Sequence, residues 1–447
     1  MAANQGDWAI AGGGMLGLSL ASRLARAGHR VTVFESAGSV GGLASSWEVG
    51  GAVWDKFYHV ILASDVHTRQ LLRELRLEDD LQWRETRTGF YSDRGLHSMS
   101  TSLDFLRFPL IGLIGKARLA ATIMYASRIK DWRSLEKIPV GEWLEKLSGR
   151  DTYQRIWLPL LRAKLGERYR DTSAAFIWTT IARMYAARRH GMKRERFGYV
   201  RGGYARILQR LEASLRESGV TIRTGTPVQR VEQIPGGGLL VRHAGGSDLF
   251  DNVVVTAAAP VAGRLCPGLT TEERRRLESI PYLGVVCASV VLKKPLAGYY
   301  VTNIVDSSIP FTGVIEMTAL VDRDELNGQS LVYLPKYVDP SDPLLDASDR
   351  EIEARFTAEL LRMYPGYIGR EDIAAFRVAR ARYVAALPTL NYSDLVPPVE
   401  TSVPGLFLVN SSQIVNGTLN VNETVQLASR AVAALLPETS TVKEKAA

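Results

Sequence analysis

Two hydrophobic periods alternate at the start of the chain. The apolar run Trp8-Ala9-Ile10-Ala11 ends in glycines, after which Leu16, Leu20, Leu24 and Ala27 recur at helical spacing until Gly28. The β-branched run Val31-Thr32-Val33-Phe34 follows and ends at Glu35. Strand, glycine turn, helix and strand within about 30 residues predict a βαβ unit with parallel pairing.

Residues 104–190 read as mostly helical. Pro139 opens a helix whose Val140, Trp143, Leu144 and Leu147 share a face, Gly149 ends it, and Asp151 and Asp171 are placed to cap two more. Gly202-Gly203-Tyr204 starts a helix through Ile207 and Leu211, followed by short strands at 220–222 and around Val228 and Val231. Glycine pairs at 237–238 and 245–246 bracket 239–243 as a hairpin strand, and the valine run at 252–256 predicts a strand buried on both faces. Beyond Pro260, residues 284–292, 313–321 and 330–338 predict a second, partly antiparallel sheet. Residues 405–409 form another buried strand, Asn422 leads a helix through Val425, Ala428, Val432 and Leu435, and 438–447 form a polar tail.

A chain of 447 residues exceeds what one core serves, so two or three units are expected. With 46% hydrophobic and 23% charged residues it is a folded globular protein rather than a disordered or fibrous one. A formal charge of +8 points to anionic ligands or a membrane surface and away from nucleic acid. Cys266 and Cys287 are too few for a disulfide framework or zinc cluster and suit a reducing compartment. The longest uncharged stretch, 401–422, is rich in Asn, Ser, Thr and Gly and does not read as a membrane span, while early glycines disfavour a signal peptide. A cytoplasmic protein, soluble or peripheral to the membrane, is expected.

The chemistry-bearing motif is Gly12-Gly13-Gly14-Met15-Leu16-Gly17, a G-x-G-x-x-G where a strand hands over to a helix. Gly12 permits the turn, Gly14 lets a pyrophosphate approach the backbone, and Gly17 lets helix and strand pack closely. The helix start, at Met15 and Leu16, then faces the phosphates. Glu35, followed by Ser36, lies where a carboxylate accepts from adenosine ribose hydroxyls, which favours FAD or NAD over NADP.

Gly41-Gly42-Leu43-Ala44-Ser45 resembles the GG motif that follows the ribose acid in the amine oxidase, protoporphyrinogen oxidase and phytoene desaturase superfamily of flavoenzymes. Arg201-Gly202-Gly203-Tyr204, the strands at 225–231 and 253–257 and the segment 405–436 resemble that superfamily in the same order. The resemblance implies an α/β fold of two domains: a Rossmann-type FAD domain from 1–88, 200–272 and 388–437, and a substrate (cap) domain of helices and a mixed sheet from 89–199 and 273–387. It further implies that Val228 pairs its backbone with adenine, that Asn410 sits near the ribityl chain, and that Thr424 and Val425 cap the flavin pyrimidine. Asn410 stands where many relatives place an acid. Cys287 stands where amine oxidases carry a lysine near flavin N5, which makes a strict amine oxidase the less favoured reading.

The segment Asp55-Lys56-Phe57-Tyr58-His59 corresponds to the one passing the flavin ring in these enzymes. Tyr58, His59 and Cys287 are the candidate catalytic residues; His59 either donates to the flavin or acts as acid or base, or is a structural histidine, and Cys287 is otherwise a small buried hydrophobe. Lys336 and Tyr337 read as a solvated strand end. The expected activity is an FAD-dependent dehydrogenase, desaturase or oxidase that passes hydride from a substrate C–H bond to flavin N5, with oxygen, a quinone or a partner protein as acceptor. A flavin-dependent isomerase resembling UDP-galactopyranose mutase and a binding module without catalysis are the alternatives. Arg183, Arg188, Arg189, Lys193, Arg194, Arg196 and Arg201 surround one acid, Glu195, and read either as a solvated helix end or as a clamp for an anionic substrate. The basic-flanked apolar segment 108–130 reads as part of the cap, with peripheral membrane contact as its other reading.

Overall fold

The computed structural model describes residues 6–187, 196–415 and 417–436. Asp7–Ala11 is the centre of a five-stranded sheet, with Arg30–Phe34 and then Thr221–Arg223 on one side and Asn252–Val255 and then Leu406–Leu408 on the other. Every pairing in it is parallel, as the βαβ pattern predicts. Strand alternation sends Trp8 and Ile10 to one face and Ala9 and Ala11 to the other. On the first face the helices Met15–Arg26, Gly203–Glu217 and Val421–Leu435 meet through Leu20, Leu24, Leu211 and Ala428. A three-stranded antiparallel sheet, Val228–Gln233, Leu239–His243 and Gly246–Phe250, covers the second face with Val231, Val241 and Phe250. Val253, Val254 and Val255 are therefore enclosed from both sides, which explains a run without polar alternation.

The second large sheet has seven strands in the order Ile373–Ala386, Tyr282–Leu292, Ser330–Val338, Gly313–Glu316, Val301–Ile304, Thr88–Ser92 and Gly95–Ser98. Its pairs are antiparallel except Val301–Ile304 with Thr88–Ser92, so the sheet is mixed. Tyr282–Leu292 is buried along its whole length. Val286, Ala288 and Val290 face Ile352, Phe356 and Leu360 of the helix Asp349–Met363, while Val285, Cys287 and Val291 face a core containing Trp54, Phe197 and Tyr199. A separate helical layer, including Leu113–Ala126, Val140–Ser148, Leu158–Leu165 and Ala174–Ala187, has its own core.

Four local readings change. The strand expected at 313–321 stops at Glu316 and becomes a 3-10 turn. Asp151 caps nothing: Gly149 precedes the helix Arg150–Thr152, and Asp151 instead pairs with Arg155 at 2.6 Å. Asp171 closes the 3-10 turn Gly166–Arg170 rather than opening a helix. The longest strand, Ile373–Ala386, is unforeseen because Ala and Arg fill it; at the sheet edge it has one neighbour, and its Arg377, Arg380 and Arg382 donate to Glu48 O, Ala347 O and Pro340 O. Finally, Arg196–Val200 pairs with both Ile61–Leu62 and Leu81–Glu85 and ties distant parts of the chain together.

Candidate functional site

The turn after Asp7–Ala11 holds glycine for two different reasons. A Cβ on Gly17 would lie 1.9 Å from the Gly12 carbonyl oxygen, and one on Gly12 would lie 2.3 Å from Thr256 Oγ1, so both positions are closed by the protein itself. Gly14 is open. A Cβ there would find only Gly42 Cα, 3.9 Å away, and its backbone (φ −73°, ψ 176°) suits any residue. Gly14 and Gly41 form an isolated parallel bridge, and Gly41 N–H donates to Gly13 O at 2.8 Å, so the two glycine turns face each other. The helix that follows has no side-chain cap and no acid in its first turn, leaving an electropositive end beside this opening. Met15 and Leu16 turn their side chains into the core, so only their backbone can serve a ligand.

Glu35 ends the neighbouring strand and is 8% exposed. Its Oε2 accepts from Gly13 N–H at 2.8 Å, and its Oε1 accepts from Ala37 N–H at 2.8 Å and Ser36 Oγ at 3.1 Å. Three of about four acceptor positions are thus used in fixing the carboxylate, and the remaining one suits a ribose hydroxyl. Gly13 is the residue here that motif spacing passes over, since the fingerprint treats it as variable. Thr226 N–H donates to Glu35 O and Gly225 N–H to Ala37 O, which brings the start of Val228–Gln233 alongside; Val228 is half-buried there, before a register shift in the ladder.

Leu43 is half-buried in the 3-10 turn Gly42–Ala44. Asn410, fully buried, follows Leu406–Leu408; its Oδ1 accepts from Ser412 N–H and Oγ, while its Nδ2 is buried without a partner. Thr424 donates its hydroxyl to Asn420 O at 2.8 Å, and Val425 packs inward, both in the first turn of Val421–Leu435. An open approach at Gly14, an uncapped helix start, a fixed carboxylate and an orphan amide donor together fit a dinucleotide.

A second cluster gathers around residues 54–59. Asp55 Oδ1 accepts from Tyr204 N–H at 2.9 Å and so caps the helix Gly203–Glu217, while its Oδ2 lies 3.6 Å from His59 Nδ1. The His59 ring also lies 4.8 Å from the Tyr204 ring. Sequence reading gives His59 no partner because Asp55, one helical turn away in number, sits at a strand end whose direction only the fold shows. The Tyr58 and Tyr337 hydroxyls are 2.7 Å apart, and burial, helped by Tyr337, pushes the Tyr58 phenol well above its usual range. Lys164 Nζ stands 4.4 Å over the Tyr337 ring. Tyr337 therefore is not a solvated strand end; it packs against two cores at once. Burial, with Arg355 adding, lowers the Lys336 pKa.

Cys287 belongs to this same core but is 0% exposed, and burial pushes its thiol pKa up, so a thiolate is disfavoured there. Of the basic cluster, Arg183 is engaged, donating to both carboxylate oxygens of Asp65 at 3.1 and 3.0 Å, which offsets its charge and removes it from an anion clamp. Arg196 starts a strand and Arg201 is exposed; Arg188, Arg189, Lys193 and Arg194 lie outside the described residues, as does the tail 438–447.

Among proteins of known structure, the fold is similar to one from Exiguobacterium sp. 255-15 assigned as a protoporphyrinogen oxidase, with a TM-score of 0.76 at 16% identity over 97% of this chain and 99% of that one. It is similar to putrescine oxidase with putrescine bound (TM-score 0.71, 18% identity, 97% and 99% covered) and to reduced UDP-galactopyranose mutase (TM-score 0.75, 14% identity, 97% and 96% covered). In sequence, 15-cis-phytoene desaturase of Synechococcus elongatus is 29% identical over 157 residues, 31% of this chain and 32% of that protein. A probable zeta-carotene desaturase of the same organism is 25% identical over 314 residues, 57% of this chain and 64% of its own length. The chain thus spans about a third of the first relative's length and just under two thirds of the second's. Residues 16–436 match the model of flavin containing amine oxidoreductases. With the dinucleotide cradle and this match covering most of the sequence, the chain belongs to the flavin containing amine oxidoreductase family and is an FAD-dependent oxidoreductase.

Proposed function

We propose that the protein dehydrogenates an apolar, extended substrate, introducing a carbon–carbon double bond. When bound, FAD supplies the hydride acceptor at N5, while a proton leaves the adjacent carbon. The observation that carries the reading is the cluster in which Tyr58 and Tyr337, hydrogen-bonded to each other, pack with Phe57, Val60 and Tyr333 next to Asp55 and His59. Aromatic and aliphatic surroundings of this kind suit a hydrocarbon chain and keep water from a reacting bond. His59, whose Nδ1 lies 3.6 Å from Asp55 Oδ2 without a hydrogen-bond partner, is the base in this reading. The buried thiol at position 287, where the resemblance to amine oxidases calls for lysine, and the desaturases among the relatives both support it. The electron acceptor is oxygen, a quinone or a partner protein.

Anaerobic mixing of the flavin-loaded protein with 15-cis-phytoene in detergent micelles, with putrescine, and with UDP-galactopyranose tests the proposal. Bleaching of the flavin by the polyene, with a product absorbing at longer wavelength, is expected. Bleaching by the amine alone, or an isomeric sugar nucleotide formed only when the flavin is reduced beforehand, overturns it.

A further inference from the structure

Large exposed hydrophobic side chains are concentrated at one place. Of the eleven among the described residues, six lie between positions 103 and 125: Leu103, Leu106, Leu113, Ile114, Met124 and Tyr125. Leu113 and Ile114 are 73% and 79% exposed. The first two stand on the short helix Ser102–Arg107 and the others on Leu113–Ala126. Along the longer helix the exposed residues also include Ala117, Ala120 and Ala121, whereas Lys116, Leu119, Thr122 and Ala126 are buried. At helical spacing these are two opposite faces: the inward one mixes Leu119 and Ala126 with Lys116 and Thr122, and the outward one is apolar with Arg118 at its border.

We propose that this outer face docks in the plane of a membrane bearing anionic lipids. Charge selects the occupant. Residues 105–130 contain five cations and no acid. Lys116 is used internally, donating to Leu106 O at 2.6 Å, and Arg118 donates to Lys146 O and Leu147 O. Arg107, Arg128 and Lys130 remain exposed at the two ends of the apolar face. The flanking acids are Asp104, occupied in a capping box with Thr101, and Asp131, exposed next to Lys130 and accepting from Arg133 N–H. An apolar stripe ended by cations matches an interface whose interior is hydrocarbon and whose headgroups are negative. Fourteen helical residues rise about 21 Å, too short to cross a hydrocarbon core, so the helix lies flat. No helix among the described residues is long and apolar enough to span.

Flotation of the full-length flavin-loaded protein with vesicles of phosphatidylcholine and phosphatidylglycerol, against pure phosphatidylcholine vesicles, is the test. Binding to the anionic vesicles at low salt, weakened by added salt, is expected. The double variant Leu113→Asp/Ile114→Asp should partition about a hundredfold or more weakly while keeping its flavin and melting temperature, because both side chains are exposed. Arg128→Glu/Lys130→Glu should weaken binding and flatten its salt dependence. The proposal is overturned if the wild-type protein stays unbound, or if Leu113→Asp/Ile114→Asp floats as well as wild type. It is equally overturned if the wild-type protein sediments as a dimer that this variant dissolves while neither binds vesicles.

Discussion

At the nucleotide end, backbone presses on backbone: the Gly12 carbonyl occupies the place of a Gly17 Cβ, and Gly41 N–H bonds to Gly13 O. Around residues 54–60, side chain presses on side chain: Tyr58, Tyr333, Tyr337 and Cys287 fill one core against the sheet. Contact of the first kind admits one residue type per position. The second kind admits other sets of side chains that fill the same volume.

The sharpest break in that comparison is Gly17→Ala. With no space for a methyl group, it should destabilise the fold by about 3 kcal/mol or more, read as a lower urea midpoint or loss of soluble protein. Wild-type stability would mean that the close packing of helix and strand is misassigned. Next is Glu35→Gln, which keeps shape but turns one acceptor oxygen into a donor facing Gly13 N–H or Ala37 N–H. The FAD dissociation constant should rise about ten- to a hundredfold, as expected for roughly 1.5–3 kcal/mol of charge-assisted hydrogen bonding. Tyr337→Phe removes the bond to Tyr58 and should cost about 1 kcal/mol of stability and slow turnover with flavin content unchanged; flavin loss would place Tyr337 at the cofactor instead. The smallest effect belongs to Cys287→Ala. Turnover should stay within about twofold of wild type, since an enclosed thiol with a raised pKa offers no thiolate. A large loss of turnover with intact flavin would return Cys287 to the chemistry.

The same contrast governs what could be read from the sequence. The strand, glycine turn, helix and acid at 7–35 were legible because each residue type answers a backbone requirement within a short span. Gly13 escaped because its role depends on where the Glu35 carboxylate bends back, and Asp55 because capping Tyr204 joins positions 149 apart in the chain. Tyr337 escaped for the same reason, its partner Tyr58 lying 279 positions away. Ile373–Ala386 escaped on composition: its alanines and arginines favour helix in isolation, and only pairing with Tyr282–Leu292 holds it extended.

The central claim is that the opening at Gly14 is kept for FAD rather than for the fold. Gly14→Val tests it most directly, because that backbone accepts valine and no protein atom but Gly42 Cα lies within 4 Å of the new Cβ. Flavin content by absorbance should fall to near zero, while far-UV circular dichroism and the melting temperature match those of wild-type protein stripped of flavin. Full flavin occupancy in the purified variant would contradict the account.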